Sequence, residues 1–343
     1  MDYRFIKDMQ ELEALADEWN ALLAESFTNV PFLRHEYLNT WWQTRGGGEW
    51  ENAELATVTA RQNGVLVGIA PFFLAVYPDN KPSLMLMGSL EISDYLDLIV
   101  REKDLAEFLP GLLEFLTAAE EISWSSLEWF NVPEESPSLV VLESEAGKRG
   151  WEYILEPFRP VVSVPLTGDF ETYLAGIDKK QRHEIRRKMR RAAEYDLPVR
   201  WYILEDGDKL DGDMEAFLNL MAHDQEKAFF LNPIMREQMK KAARAAWQAG
   251  WLQLAFLEVG GKKAASYLNF DYENRIWVYN SGLDQHYLEL SPGWVLLGHL
   301  LQWANEHKRT EFDFMRGDEG YKFKFGGIQR SVMHLQVKRR SSA

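Results

Sequence analysis

The sequence predicts an α/β protein built from two domains, and three observations predict it. A chain of 343 residues exceeds the usual single domain, for which about 150 residues is a soft expectation. Its balance of 46% hydrophobic and 27% charged residues is that of a folded globular chain. The order of helical and strand patterns in the first half also returns, loosely, in the second.

In the first half Leu12, Leu15, Trp19, Leu22 and Leu23 share one face at helical spacing and predict a helix over 9–25. Strands are expected over 55–61 and 65–77, joined by a tight Asn63-Gly64 turn, and again over 84–87 and 95–100. A helix follows over 104–120, which Pro110 should kink, then a strand over 126–132, a helix over 137–149 and a strand over 151–155. The second half offers helices over 213–227 and 233–249 and strands over 252–259 and 264–272 around Gly260-Gly261. A strand over 276–281, a helix over 292–308, a strand over 311–315, a short helical piece near 318–325 and a strand over 332–337 complete it. The stretch 157–165 joins the halves, so domains of 1–165 and 166–343 are expected. Gly46-Gly47-Gly48 reads as a flexible loop.

Composition narrows the chemistry. There is no cysteine, which removes disulfides, cysteine-ligated zinc, iron–sulfur clusters and thiolate nucleophiles. The seven histidines show no ligand spacing, so no metal is expected. No uninterrupted apolar run reaches membrane-spanning length, and no basic start precedes an apolar stretch, so neither a membrane span nor secretion is expected and the cytoplasm is the expected compartment. The net charge of −15 argues against DNA and anionic surfaces as partners. It is unevenly spread: residues 178–191 hold eight Lys and Arg against two acids, +6, and the remainder carries −21. The 13 Trp, 13 Tyr and 19 Phe are read chiefly as core, where large rings dominate burial.

No Walker-type phosphate loop, dinucleotide-binding glycine fingerprint, H-E-x-x-H or G-x-S-x-G is present. Four local features remain. Ser291-Pro292-Gly293-Trp294 opens an apolar helix: Ser291 suits an N-cap and Pro292 the first turn, and the same free N–H groups would accept phosphate. In the run 313–327, Asp313 and Arg316 end a strand and Tyr321 and Lys322 follow among glycines. That is either an ion-paired loop or a site at the C-terminal end of a strand, with Tyr321 as an acid and Lys322 as an anion partner. Asp94 and Asp97, three apart on an extended segment, should face opposite sides, leaving Asp94 as a general base or a turn former. Finally, Arg182, Arg186, Arg187, Arg190 and Arg191 surround a narrow apolar stripe of Ile185, Met189 and Ala192, a solvated face or a phosphate-recognising one.

A family likeness is carried by Pro31-Phe32-Leu33 with Tyr37 and Trp41-Trp42, by Ser93-Asp94-Tyr95-Leu96-Asp97, and by Lys180 and Arg182 with Ile185-Arg186-Arg187. It continues through Ser291-Pro292-Gly293 to Asp313-Phe314, Arg316-Gly317-Asp318, Tyr321-Lys322 and Phe325-Gly326, the most specific block. Over nearly its full length the chain resembles the acyltransferases of the CelD/BcsL cellulose-biosynthesis group, within the GNAT superfamily. The resemblance implies two tandem GNAT-like acyl-CoA N-acyltransferase domains, each a mixed, mostly antiparallel sheet flanked by helices, as in the Fem peptidoglycan aminoacyl transferases. It implies acyl transfer, chiefly acetyl, from acyl-CoA to an amine or hydroxyl of a small molecule or saccharide, in exopolysaccharide or cell-envelope biosynthesis. Asp313, Tyr321 and Asp94 are then the expected catalytic groups, and Ser291, Gly293, Arg316, Lys322, Arg186 and Arg187 the expected donor-binding ones. One departure stands out: the GNAT pyrophosphate loop, R/Q-x-x-G-x-G/A, is represented by residues 286–293 (HYLELSPG) with a single glycine at its end. Aminoacyl-tRNA is therefore kept as an alternative donor, and a non-catalytic component of a polysaccharide machine as an alternative role.

Overall fold

Asn63-Gly64 and Gly260-Gly261 both adopt the left-handed backbone that a two-residue hairpin turn demands, with φ of 51 and 82 in the first pair and 58 and 79 in the second. The computed structural model describes residues 1–76 and 81–339 and sets these hairpins in different compact units. One unit is Met1–Arg159 rejoined by residues from Ser331 onward; the other is Pro160–Arg330. The boundary drawn at 165/166 from sequence thus lies at 159/160, and the last strand returns to the first unit.

The first unit begins with β1 (Asp2–Ile6), α1 (Met9–Glu13), α2 (Ala16–Leu23) and α3 (His35–Gly48). It continues through β2 (Ala53–Leu55), β3 (Thr57–Gln62), β4 (Val65–Ala70), β5 (Phe72–Val76), β6 (Pro82–Leu86), β7 (Ile99–Val100), α4 (Glu102–Ala118), β8 (Ser126–Pro133) and α5 (Pro137–Arg149). One sheet has the order β1-β3-β4-β7, all antiparallel. In a second, β2, β5 and β6 pair antiparallel, β6 meets β8 in parallel, and the chain's final strand pairs antiparallel with β8.

Three expectations are corrected here. The helix over 9–25 is two helices, because at Ala14 and Leu15 the chain tightens, Leu15 N–H bonding to Leu12 O at 3.1 Å. Gly46-Gly47-Gly48 is not a loose loop: Arg45, Gly46 and Gly47 form a left-handed turn ending α3, and Gly46 is buried against the Trp41 indole. The strand over 95–100 shrinks to two residues, since Tyr95 takes φ 58 and Leu96 N–H bonds to Asn131 O at 2.9 Å. Tyr77, the last residue of the expected returning strand, lies outside the described residues.

The second unit starts within β9 (Glu152–Pro165) and runs through α6 (Phe170–Gly176), α7 (Lys179–Ala193), β10 (Val199–Ile203), α8 (Leu210–Met221), α9 (Gln225–Phe230) and α10 (Pro233–Gln248). Then come β11 (Leu252–Val259), β12 (Lys262–Tyr272), β13 (Arg275–Leu283), α11 (Pro292–Glu306), β14 (Glu311–Arg316) and α12 (Gly320–Lys324); β15 (Ile328–Lys338) carries the chain back to the first unit. The strand order β10-β11-β12-β13-β14, followed by the end of β9, is antiparallel throughout except that β13 and β14 run parallel.

Alternation along these strands sorts the two faces of the sheet. Ala255, Leu257, Tyr267, Ile276, Val278, Phe312 and Phe314 point to one face and pack with the apolar stripe of α11, Val295, Leu296, Leu300 and Ala304. The opposite face is covered by α8, whose Asp213 binds Lys263 of β12. On that side β13 passes so close to α8 that a Cβ on Gly282 would lie 2.4 Å from Met221 N.

Candidate functional site

The basic helix and the Ser291–Gly293 turn, remote in sequence, are neighbours. α7 is capped by Asp178, whose Oδ1 accepts from Lys180 N and Gln181 N, and it lies against α11 through Met189 at Gly298. Farther along, Lys188 sits over the Trp294 ring at 4.1 Å and Tyr195 Oη donates to Glu289 at 2.6 Å, just before the helix start. Lys324 lies 5.8 Å from the same ring. Ser291 does not cap α11 with its side chain, contrary to the expectation. It adopts φ 52, ψ 55, and in that left-handed conformation only its carbonyl enters the helix, accepting from Val295 N. The turn still leaves the N–H groups of Gly293 and Trp294 without an intrahelical acceptor. Trp294 Nε1 is buried and has no partner among the described residues. Gly293 has little around it, its nearest contact being Leu283 at 3.5 Å from a built Cβ.

Between β13 and β14 the sheet opens. Their register runs from Arg275↔Glu311 to Trp277↔Asp313 and stops, although β13 continues to Leu283. At the same level β13 bulges: Asn269 faces Val278 and Leu268 faces Asn280, so Tyr279 is the extra residue. A bulge re-aims the strand and frees backbone groups from the ladder. The parallel strands therefore diverge toward their C-terminal ends, beside the start of α11.

The run after β14 is more tightly built than its charges suggest. Asp313 is buried and its Oδ1 accepts from Met315 N at 2.6 Å, fixing a bend in which Met315 takes φ 60. Lys322, only 2% exposed, donates to Arg316 O, Gly317 O and Glu319 at 2.7–2.9 Å. Its ammonium holds the loop together, so it does not offer the open anion partner expected from sequence. Tyr321 packs edge-on to Phe314 among the residues of the α11 face, and burial holds its phenol above the ordinary range. Asp313, one residue from Phe314, points to the other face. Arg316 is partly exposed at the bend. On α7, Arg186 and Arg187 are exposed and paired with Glu171 and Glu184.

One group escaped the sequence reading. Lys227 of α9, partly buried, donates to Asn280 Oδ1 at 2.9 Å and Ser281 O at 2.7 Å, on β13 just past the opening. Nothing local marks it, since its partners lie more than fifty residues ahead.

Asp94 and Asp97 belong to the first unit, where both are buried, at 3% and 0% exposure, instead of facing opposite sides of a strand. Burial pushes the Asp97 carboxyl up to about 6, outweighing the bonds it accepts from the Thr28, Ser136 and Ser138 hydroxyls and from Leu98 N, which favour the charged form.

The deciding likeness falls on the second unit. Residues 179–323 match the family model of an acetyltransferase (GNAT) domain. Across the whole chain the backbone is similar to FemX, at 10% identity over 98% of this chain and 97% of that one, TM-score 0.67. It is also similar to L-PGS from Bacillus licheniformis, at 13% identity over 95% and 91% of the two chains, TM-score 0.57. The C-terminal domain of a putative lysylphosphatidylglycerol synthetase from Agrobacterium fabrum gives 10% identity over 96% and 92%, TM-score 0.56. At such identities the likeness is one of fold: the chain shares the fold of FemX, with a GNAT domain matched over residues 179–323. No curated protein sequence matches the chain. Among the described residues no helix is long and apolar enough to cross a membrane.

Proposed function

We propose that the protein is an acyltransferase that moves an acyl group, acetyl in the first instance, from acyl-CoA to an amine or hydroxyl acceptor. The observation that carries this reading is the opening of β13 from β14 beyond Trp277 and Asp313, next to the α11 start. The donor supplies an activated thioester carbonyl. In this reading the Gly293 and Trp294 N–H groups, Trp294 Nε1–H and the neighbouring Lys188 receive its phosphates, and Ser291 contributes the left-handed bend at which the helix starts. Backbone N–H groups of β13 beyond the opening stabilise charge on the carbonyl oxygen. Tyr321, on the α11 face and uncharged at neutral pH, protonates the departing sulfur. Asp313 and Lys322 act by holding the bend and loop, and Arg316 takes an anionic group at the rim. Arg186 and Arg187 add to the positive field along α7. Asp94 has no part in this reading. A saccharide acceptor from exopolysaccharide or envelope assembly is the finer proposal, and it rests on the CelD/BcsL resemblance alone.

Calorimetric titration with acetyl-CoA tests the reading. Micromolar binding is expected; silence toward acetyl-CoA and longer acyl-CoAs would sink it and favour a non-catalytic component.

Aminoacyl-tRNA as donor is the second reading, favoured by Arg190 and Arg191. Neither guanidinium has an ion-pair partner among the described residues, and both line a concavity of about 260 Å³ with Arg187, Glu194, Tyr195 and Asp196. This reading expects steeply salt-dependent tRNA binding that disappears when Arg186, Arg187 and Arg190 are neutralised. The net charge of −15 counts against it.

A further inference from the structure

Lys227 has the surroundings of a proton acceptor. Two of its Nζ hydrogens are taken by Asn280 Oδ1 and Ser281 O. The third tetrahedral position of the nitrogen carries a lone pair when the side chain is neutral. Asn280 cannot turn away, because its Oδ1 also accepts from Ser281 N at 2.8 Å. The pairing of Asn280 with Leu268, and the approach of Gly282 to α8, place this group on the α8 face of the sheet, opposite Tyr321 and the α11 start. A donor held at α11 would thus present its carbonyl through the opening to a nucleophile arriving on the Lys227 side.

We propose that Lys227 is the catalytic base of the acyl transfer, its Nζ receiving the proton of an amine acceptor that enters on the α8–α9 face. This rests on the acyl-transfer reading above. The acceptor nitrogen forms a bond to the carbonyl carbon, the carbon–sulfur bond breaks, and the nitrogen's proton passes to Lys227. The sulfur leaves with its electron pair and takes a proton from Tyr321, which is restored from Lys227 through solvent, so the products are an amide and a free thiol.

The groups facing Lys227 are Asp224 on its own helix, Glu319 and Lys322 from the loop after β14, and the amide groups of Asn280 and Ser281. Burial draws the ammonium below the ordinary lysine range; Asp224 and Glu319 oppose that and Lys322 adds to it. A base needs that direction, whereas a lysine serving only to pin α9 to β13 would do so best fully charged.

The test uses the full chain carrying ¹³Cε-lysine, with the Lys227 signal assigned from the Lys227→Arg protein. A titration midpoint below that of the exposed lysines is expected; a midpoint among theirs overturns the proposal. Thiol release from acetyl-CoA, with glucosamine or hydroxylamine as probe acceptor, should fall at least about 100-fold in kcat for Lys227→Arg. Calorimetric affinity for acetyl-CoA should stay within three-fold for that protein by the same argument. Added methylamine should restore part of the rate to Lys227→Ala. Wild-type turnover in a folded Lys227→Arg protein also overturns the proposal. Calorimetric silence of the wild type toward acetyl-CoA would sink the acyl-CoA reading and the base role with it, whereas a midpoint among the exposed lysines overturns the Lys227 proposal and leaves that reading standing.

Discussion

The Lys188 ammonium lies 4.1 Å above the Trp294 ring, and Phe325 meets that ring at 4.6 Å between centroids. The contact joins the basic helix to the first turn of α11, so two features a hundred residues apart share one surface. It also leaves Trp294 Nε1 buried with its hydrogen unused among the described residues.

Replacing Trp294 by Phe keeps the ring contacts and deletes only that hydrogen. Apo stability should hold or rise, because an unsatisfied buried donor is removed. Acetyl-CoA affinity should fall by roughly two- to ten-fold, the worth of one net hydrogen bond of about 0.5–1.5 kcal/mol. Calorimetry beside thermal unfolding checks both; unchanged affinity would take the indole N–H out of the donor site.

Lys322→Met should behave as a stability variant. The methionine fills similar space, but Arg316 O and Gly317 O lose their donor, a loss of about 2–6 kcal/mol at 1–3 kcal/mol for each unsatisfied group. Urea unfolding should show the drop. Wild-type stability with weakened acetyl-CoA binding would instead make Lys322 a ligand.

Asp97 predicts a pH dependence confined to the acid side. Its carboxyl is raised from 3.8 to about 6 on folding, so the folded state holds the proton more tightly. That contribution is fully present below about pH 4 and is lost as pH rises through about 6. In urea midpoints taken from pH 4 to 8, wild type should lose stability relative to Asp97→Asn between those limits and run parallel to it above about pH 7. A constant difference across the range would contradict this.

Gly282→Ala tests the closeness of β13 to α8. A methyl 2.4 Å from Met221 N forces backbone to move, which should cost about 1–3 kcal/mol. Because the displaced segment leads into α9, the Lys227–Asn280 contact should loosen, seen as greater hydrogen exchange at residues 225–230 than elsewhere in the unit.

What could be read in advance was set by neighbours in sequence. The Asn63-Gly64 and Gly260-Gly261 turns, the Asp178-capped basic helix and the apolar stripe of α11 are dictated by residues within a few positions of one another, and each appears near its expected bounds. The failures are non-local. Ser291 has the side chain of an N-cap, but the chain arriving from the turn before it leaves it left-handed. Tyr95 breaks a strand because Asn131 gathers the carbonyls of Leu90 and Ser93 from forty residues away. The helix expected over 213–227 breaks into α8 and α9, and Lys227 finds its partners on β13, more than fifty residues ahead. At the candidate site the start of α11 at Pro292 was legible, whereas the opposite face of the sheet was not, because pleat and bulge decide which residues meet there.

The return of the final strand to the first unit governs the order in which the protein can be assembled on the ribosome. β8 pairs with β6 on one edge, but its other edge is completed by residues 332–338, synthesised after the whole second unit. At about 5–20 residues per second, the 171 residues of Pro160–Arg330 take roughly 10–30 s to emerge. During that interval the nascent first unit carries an open, apolar strand edge, while the second unit can already close on itself. The inserted part therefore matures before its host, and the host depends on residues 332–338 to cover that edge against aggregation.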